Sequence, residues 1–156
     1  MLDLGAAPGG WSQVAAKKVG SRGRVLAVDC LPMDPVDGVE FLEADFESDE
    51  ALAWLRERAG DRTVDLVLSD LAPNISGNRA IDQPRSMQLI ETVVELADEF
   101  LKPGGALLTK LFQGEGQTEL EHALKSRFGR LKRLKPKASR PESREIYLLA
   151  CDYRMV

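Results

Sequence analysis

The amino-acid sequence predicts an α/β protein with a mostly parallel sheet and helices on both faces. Three observations predict it. Strand-like apolar runs alternate with amphipathic helical stretches along all 156 residues. A glycine-rich turn, Gly5-Ala6-Ala7-Pro8-Gly9-Gly10, joins the first strand to the first helix. Asp29, Asp45, Asp70 and Lys110 fall at predicted strand ends, where sheets of this class gather their ligands.

Each element has a local cause. Leu2 to Leu4 is the tail of a strand. Gly9 to Val19 is helical, with Val14, Ala15 and Val19 on one side, and Gly20-Ser21-Arg22-Gly23 turns the chain. Arg24 to Asp29 is a strand ending in an acid, and Val39 to Glu43 a short strand followed by Asp45. Ser48 caps a helix running to about Ala59, with Leu52 and Leu55 on one face. Val64 to Ser69 is an apolar strand. A long helix from about Gln83 to Leu101 repeats Leu89, Ile90, Val93, Val94, Ala97, Phe100 and Leu101 at helical spacing, and Lys102-Pro103-Gly104-Gly105 ends it. Ala106 to Lys110 is a strand, Gln117 to Phe128 a helix and Arg144 to Cys151 the final strand, with room for one more within Gly129 to Lys135.

Composition sets bounds. Residues 1–156 read as one domain, 44% apolar and 29% charged, with no membrane-spanning run and no signal peptide. A soluble cytoplasmic protein is expected, without membrane association, and a monomer. Cys30 and Cys151 fit no metal spacing and read as buried free thiols; no metal is expected. Net charge is −4, yet eight cations lie between Lys125 and Arg140 with no acid among them, leaving −12 elsewhere. That stretch either meets nucleic-acid phosphates or forms a solvated helix-to-strand connection. His122 reads as solvated surface and Trp54 as core.

The turn narrows the ligand. A dinucleotide fingerprint would place glycine at Gly5, Ala7 and Gly10; the middle one, which admits a pyrophosphate, is alanine here. A nicotinamide oxidoreductase is thereby disfavoured. S-adenosylmethionine has no pyrophosphate; it needs a tight turn and a helix N-terminus for its carboxylate. Asp29 stands where an acid accepts ribose hydroxyls, and Asp45 where one meets the adenine amino group.

The acceptor follows by comparison of motifs. Asp70-Leu71-Ala72-Pro73-Asn74 lacks the aromatic that stacks a flipped base for amino methylation. Neither cysteine is placed for attack on a pyrimidine ring. Asp70, Lys110 and Glu145 remain, and a lysine among carboxylates suits a hydroxyl acceptor.

Five segments resemble one family: Asp3 to Gln13, Leu31 to Pro35, Ser69 to Gly77, Lys110 to Gly116 and Ser143 to Tyr147. In order and over nearly the whole chain they resemble the FtsJ/RrmJ family of ribosomal RNA 2′-O-ribose methyltransferases. The resemblance implies a Rossmann-like S-adenosylmethionine-dependent methyltransferase fold, seven-stranded, with an antiparallel last strand. It implies a uridine of large-subunit ribosomal RNA as acceptor. It implies that Gly5, Gly9, Trp11, Asp29, Asp45 and Asp70 bind cofactor, and that Lys110, Asp70 and Glu145 form the catalytic set. The family's set includes a further lysine upstream of the glycine-rich turn, absent from these residues. The domain is thus expected to be N-terminally truncated relative to the family, and its methylation weak. A small-molecule O-methyltransferase, or a cofactor-binding RNA chaperone or ribosome-assembly factor, is the alternative. Trp11 either packs or touches cofactor, Tyr147 either positions the ribose or packs, and Arg140 and Arg144 either meet phosphates or pair with Glu142 and Glu145.

Overall fold

The structure is a computed structural model that describes residues 1–73 and 75–155. Asn74, the end of the Asp70 motif, lies outside the described residues, as does Val156. The elements in chain order are β1 (Leu2–Leu4), α1 (Gly10–Val19), β2 (Val25–Asp29), β3 (Val39–Glu43), α2 (Asp49–Ala59), β4 (Val64–Ser69), α3 (Arg79–Phe100), β5 (Leu101–Phe112), α4 (Gln117–Arg127), β6 (Phe128–Leu134) and β7 (Glu145–Tyr153).

They build one seven-stranded sheet in the order β3-β2-β1-β4-β5-β7-β6. β1 to β5 pair in parallel, and β7 inserts antiparallel between β5 and β6. The expected architecture is present, antiparallel last strand included. Strand order reverses at β1, whose neighbours are β2 and β4. Crevices beyond the carboxyl ends of strands open at such a reversal.

Burial explains the layers. Leu2, Leu4, Val67 and Leu107 point into the larger core, where α2 adds Leu55, α3 adds Val93 and α4 adds Leu124. On the other face α1 packs Ala15 against Val25 and Leu68. Ser48 Oγ accepts the Ala51 N–H at 3.2 Å. Such a cap contributes about 1 kcal/mol, whereas burying one leucine contributes about 1.5–3 kcal/mol. The buried Leu55 therefore does more than the cap to place α2.

Several boundaries differ from the sequence reading. α3 begins at Arg79, four residues early, because Asn78 Oδ1 caps the Ala80 N–H at 3.0 Å and Pro84 is tolerated inside the helix. β5 starts at Leu101, directly after α3, and runs through Pro103 to Phe112. Lys110 therefore lies within the strand, two residues before its end. Cys30 is exposed and Cys151 half-buried, so neither thiol is fully buried as expected. Cys30 follows the last residue of β2, where the chain leaves the sheet. Trp54 is only half-buried, packing against the core while Arg58 lies 4.6 Å over its ring. His122 is exposed, as expected.

The basic stretch runs over the end of α4, the edge strand β6 and the segment after it, with three of its eight cations on β6. Arg127 pairs with Asp98, Arg130 with Asp152 and Arg133 with Glu121, each at 2.8 Å. Lys135 Nζ donates to the Ser143 and Glu145 carbonyls at 2.7 Å. Charges on an outer strand discourage edge-to-edge pairing. Lys125, Lys132, Lys137 and Arg140 form no ion pair among the described residues. Among the described residues no helix is long and apolar enough to cross a membrane.

Candidate active site

The glycine-rich turn leaves β1 by bonding to its neighbour: the Gly5 and Ala6 N–H groups both donate to the Val28 carbonyl, at 2.9 and 3.3 Å. Gly5 has φ +76°, and a Cβ there would lie 2.7 Å from Leu71 Cδ2. Gly9 has φ +114° and would meet Met33 Sδ at 3.1 Å. Both positions need glycine for conformation and for space. Gly9 caps α1 without any side-chain bond, so the helix N-terminus is open to an anion.

Asp29 fixes the turn. Its Oδ2 accepts the Ala7 N–H at 2.8 Å and its Oδ1 the Leu31 N–H at 2.9 Å. Each oxygen keeps a further lone pair for a ligand hydroxyl. Asp45 Oδ1 accepts the Glu47 N–H at 2.9 Å, and the other oxygen has no donor among the described residues. Gly5, Asp29, Asp45, Phe46, Leu71 and Pro73 line one cleft of about 280 Å³. Asp29 and Asp45 over apolar walls, with Glu47 a third acid in the lining, a cradle that a Cβ would fill and an uncapped helix end fit a nucleoside carrying a carboxylate. Gly10, by contrast, faces open space.

Asp70 follows β4, next in the chain to Leu71 of that cleft, and belongs to a second cluster. Lys110 Nζ lies 3.2 Å from Asp70 Oδ1 and 3.1 Å from Glu145 Oε1. Tyr147 Oη donates to the same Asp70 oxygen at 2.8 Å. The sheet register makes this possible: β5 places Lys110 opposite Tyr147 and Phe112 opposite Glu145. Side chains two apart share a face, so all four project together. Trp11, from α1, packs on Tyr147 with ring centroids 5.4 Å apart.

Burial and charge compete at Lys110, whose side chain is 14% exposed. Burial pulls its pKa down and is the largest single influence. The charge of Asp70, the hydrogen bonds to Glu145 and Asp70 and the charge of Glu145 together outweigh it, so the net shift is upward. Tyr147 is pushed up by burial first and then by its bond to Asp70, and stays a protonated donor.

The structure thus brings Lys110, Asp70 and Glu145 together, and gathers Gly5, Asp29 and Asp45 round the cleft. Trp11 stands apart from that cleft. It also lines an apolar groove of about 770 Å³ with Val14, Leu66, Leu68 and Leu108. That groove is the larger of the two, and Lys18, Arg22, Arg24 and Asp65 stand among its lining residues. Arg140 and Arg144 form no ion pair with Glu142 or Glu145 among the described residues.

Two supporting residues escaped the sequence reading. Asp3 is fully buried, and Oδ2 accepts the Ser12 hydroxyl at 2.6 Å, tying β1 to α1 beneath the turn. Its Oδ1 has no donor among the described residues. Burial raises its pKa, and Asp70 and Asp29 add to the rise against the Ser12 bond. Gln83 is the second: its amide donates to the Phe112 and Glu115 carbonyls at 3.2 and 3.0 Å. An acid two residues before Gly5, in a strand otherwise apolar, was the available signal for Asp3.

Known proteins share this fold. The family described as FtsJ-like methyltransferase matches residues 1–153. A crystal structure from Plasmodium falciparum, described as a ribosomal RNA methyltransferase, superposes with a TM-score of 0.84 at 28% identity, covering 97% of this chain and 85% of that one. An rRNA-methylase structure from Clostridium thermocellum gives 0.54 at 18% identity, covering 96% and 87%. A Streptococcus mutans methyltransferase in complex with SAH gives 0.51 at 11% identity, covering 95% and 83%, and shares the fold. With its cleft at the β1 reversal and its lysine between two carboxylates, the chain belongs to the FtsJ-like methyltransferase family.

Proposed function

We propose that this protein transfers a methyl group from S-adenosylmethionine to a ribose 2′-hydroxyl of RNA. The observation that carries the reading is Lys110 held between Asp70 and Glu145 at 3.2 and 3.1 Å, near a cleft whose lining includes Asp29 and Asp45. S-adenosylmethionine supplies a methyl carbon on a sulfonium, open to displacement in line with the departing sulfur. The chain's residues do the rest. Gly5 and Gly9 admit the ligand against the backbone, the uncapped α1 terminus meets its carboxylate, and Asp29 and Asp45 accept from ribose and adenine. Trp11 backs Tyr147 and so steadies the wall on that side.

Lys110 faces the acceptor hydroxyl and, in its neutral form, takes the hydroxyl proton as the oxygen attacks the methyl carbon. Asp70 and Glu145 orient Lys110 and stabilise the ammonium that results. Fixing the hydroxyl in attack geometry supplies much of the acceleration. The acceptor is a uridine of large-subunit ribosomal RNA, met by a monomeric cytoplasmic protein; the Plasmodium falciparum relative, described as a ribosomal RNA methyltransferase, supports the RNA class. Residues 1–156 act as one domain in this reading.

Tritiated methyl transfer to ribosomal subunits lacking the modification tests this, with mapping of the labelled ribose. Label on a base, or on small hydroxylated compounds but not RNA, would overturn it.

A further inference from the structure

Next to the Lys110 cluster lies a crevice of about 40 Å³, lined by Pro73, Ile75, Asp82, Gln83, Phe112 and Arg144. It has room for the edge of a planar ring, not for a whole metabolite. Pro73 lines both this crevice and the larger cleft, so the two depressions share a wall. Phe112 is the cross-strand partner of Glu145 and lies two residues beyond Lys110 on β5. Strand geometry sets that spacing at about 7 Å, comparable with the span of a single nucleotide.

The chemistry of the lining is mixed in an informative way. Ile75 is 69% exposed yet does not collapse inward. Asp82 holds its loop outward, accepting the Ser76 N–H and hydroxyl at 2.9 and 2.8 Å and the Gly77 N–H at 3.2 Å. Asp82 is thereby engaged, and its bonds to Ser76 lower its pKa and keep it ionised. Gln83 is 6% exposed, and its Oε1 is buried without a donor among the described residues. Arg144 forms no ion pair among the described residues and makes one long contact, 3.5 Å, to the Gln113 carbonyl. Apolar walls, an unmet acceptor and a cation suit a nucleobase better than a phosphate, which the nearby Asp82 carboxylate would repel.

We infer that this crevice receives the edge of the nucleobase whose ribose is presented to Lys110. Phe112, Ile75 and Pro73 give it apolar walls, and Arg144 and Gln83 meet its polar edge. The inference deepens the ribose-methylation reading and rests on it.

The test uses the full chain with ribosomal RNA carrying photoreactive 4-thiouridine or 6-thioguanosine. Crosslinks should map to the peptides bearing Ile75 or Phe112, the two probes separating a uracil from a guanine edge. Ile75→Ala and Phe112→Leu should each raise KM for RNA roughly tenfold, the scale of one lost base contact, with S-adenosylmethionine affinity unchanged. Loss of a base contact should also leave the salt dependence of RNA binding as it was. Crosslinks confined to β6 and the segment after it would overturn the inference while leaving methyl transfer intact. So would a salt slope that falls by about one in Arg144→Gln, since that marks a phosphate contact. If the unaltered chain methylates small hydroxyl compounds and not RNA, the ribose-methylation reading itself fails and the crevice loses its role with it.

Discussion

Lys110 and Tyr147 face each other across the β5–β7 ladder and share one acceptor, Asp70 Oδ1, at 3.2 and 2.8 Å. A carboxylate oxygen that accepts from both sides fixes the lysine laterally, while Glu145 fixes it from the second strand. Tyr147→Phe removes one of those bonds without emptying the space. Turnover should fall roughly tenfold, the scale of a bond to a charged group, with cofactor affinity unchanged. Initial rates at saturating S-adenosylmethionine, together with calorimetric titration, check both halves.

Replacing Lys110 by alanine should cost at least about a hundredfold in methyl transfer and leave S-adenosylmethionine binding nearly as it was. A comparable loss of cofactor affinity would make Lys110 a binding residue instead.

The pH dependence has a definite sign. The folded pKa of Lys110 lies above the ordinary lysine value of about 10.4. The neutral amine is therefore a small minority at neutral pH. Methyl transfer should rise close to tenfold per unit between about pH 7 and 9. A flat single-turnover profile over that range would show that Lys110 works as a cation and that the proton leaves by another path.

Asp29 and Asp45 should divide cofactor affinity between them. Asp29→Ala also releases the Ala7 and Leu31 N–H groups, so it should weaken binding more than Asp45→Ala. Losses of at least about tenfold are expected from removing a charged acceptor, with isothermal titration as the measurement.

Asp3 makes a stability prediction. Its folded pKa is raised above the unfolded value, chiefly by burial. An acid shifted upward binds more protons folded than unfolded. Its ionisation therefore costs stability progressively as pH climbs from the ordinary carboxylate range through the raised folded value. Asp3→Asn can still accept the Ser12 hydroxyl and removes that cost. It should melt at or above the temperature of the unaltered chain at neutral pH, with the advantage vanishing in acid. A variant that melts lower at every pH would show the charge itself to be needed.

Much of this protein is legible in its residues because the signals are local. Period-two and period-3.6 apolar patterns sort strands from helices. Gly5 and Gly9 announce left-handed backbone, and Ala7 departs from the dinucleotide fingerprint. Asp29, Asp45, Asp70 and Lys110 stood out as candidates because α/β chains gather their ligands at strand ends, and all four lie at or within two residues of one. The α3 start was harder to read, since Pro84 looks like a boundary and the Asn78 cap sits several residues upstream.

What the sequence determined alone was the fold class, the family and the set of chemically able residues. Tertiary structure decided which of them meet. β7 inserts beside β5 in antiparallel register, and only that pairing sets Glu145 and Tyr147 against Lys110. Packing likewise decided that half the basic stretch is spent on Asp98, Glu121, Asp152 and backbone carbonyls. It also buried Asp3 beneath the turn. Local patterns record the dihedral and solvation preferences of neighbouring residues, whereas register, ion pairing and desolvation join groups far apart in the chain and exist only once the sheet has formed.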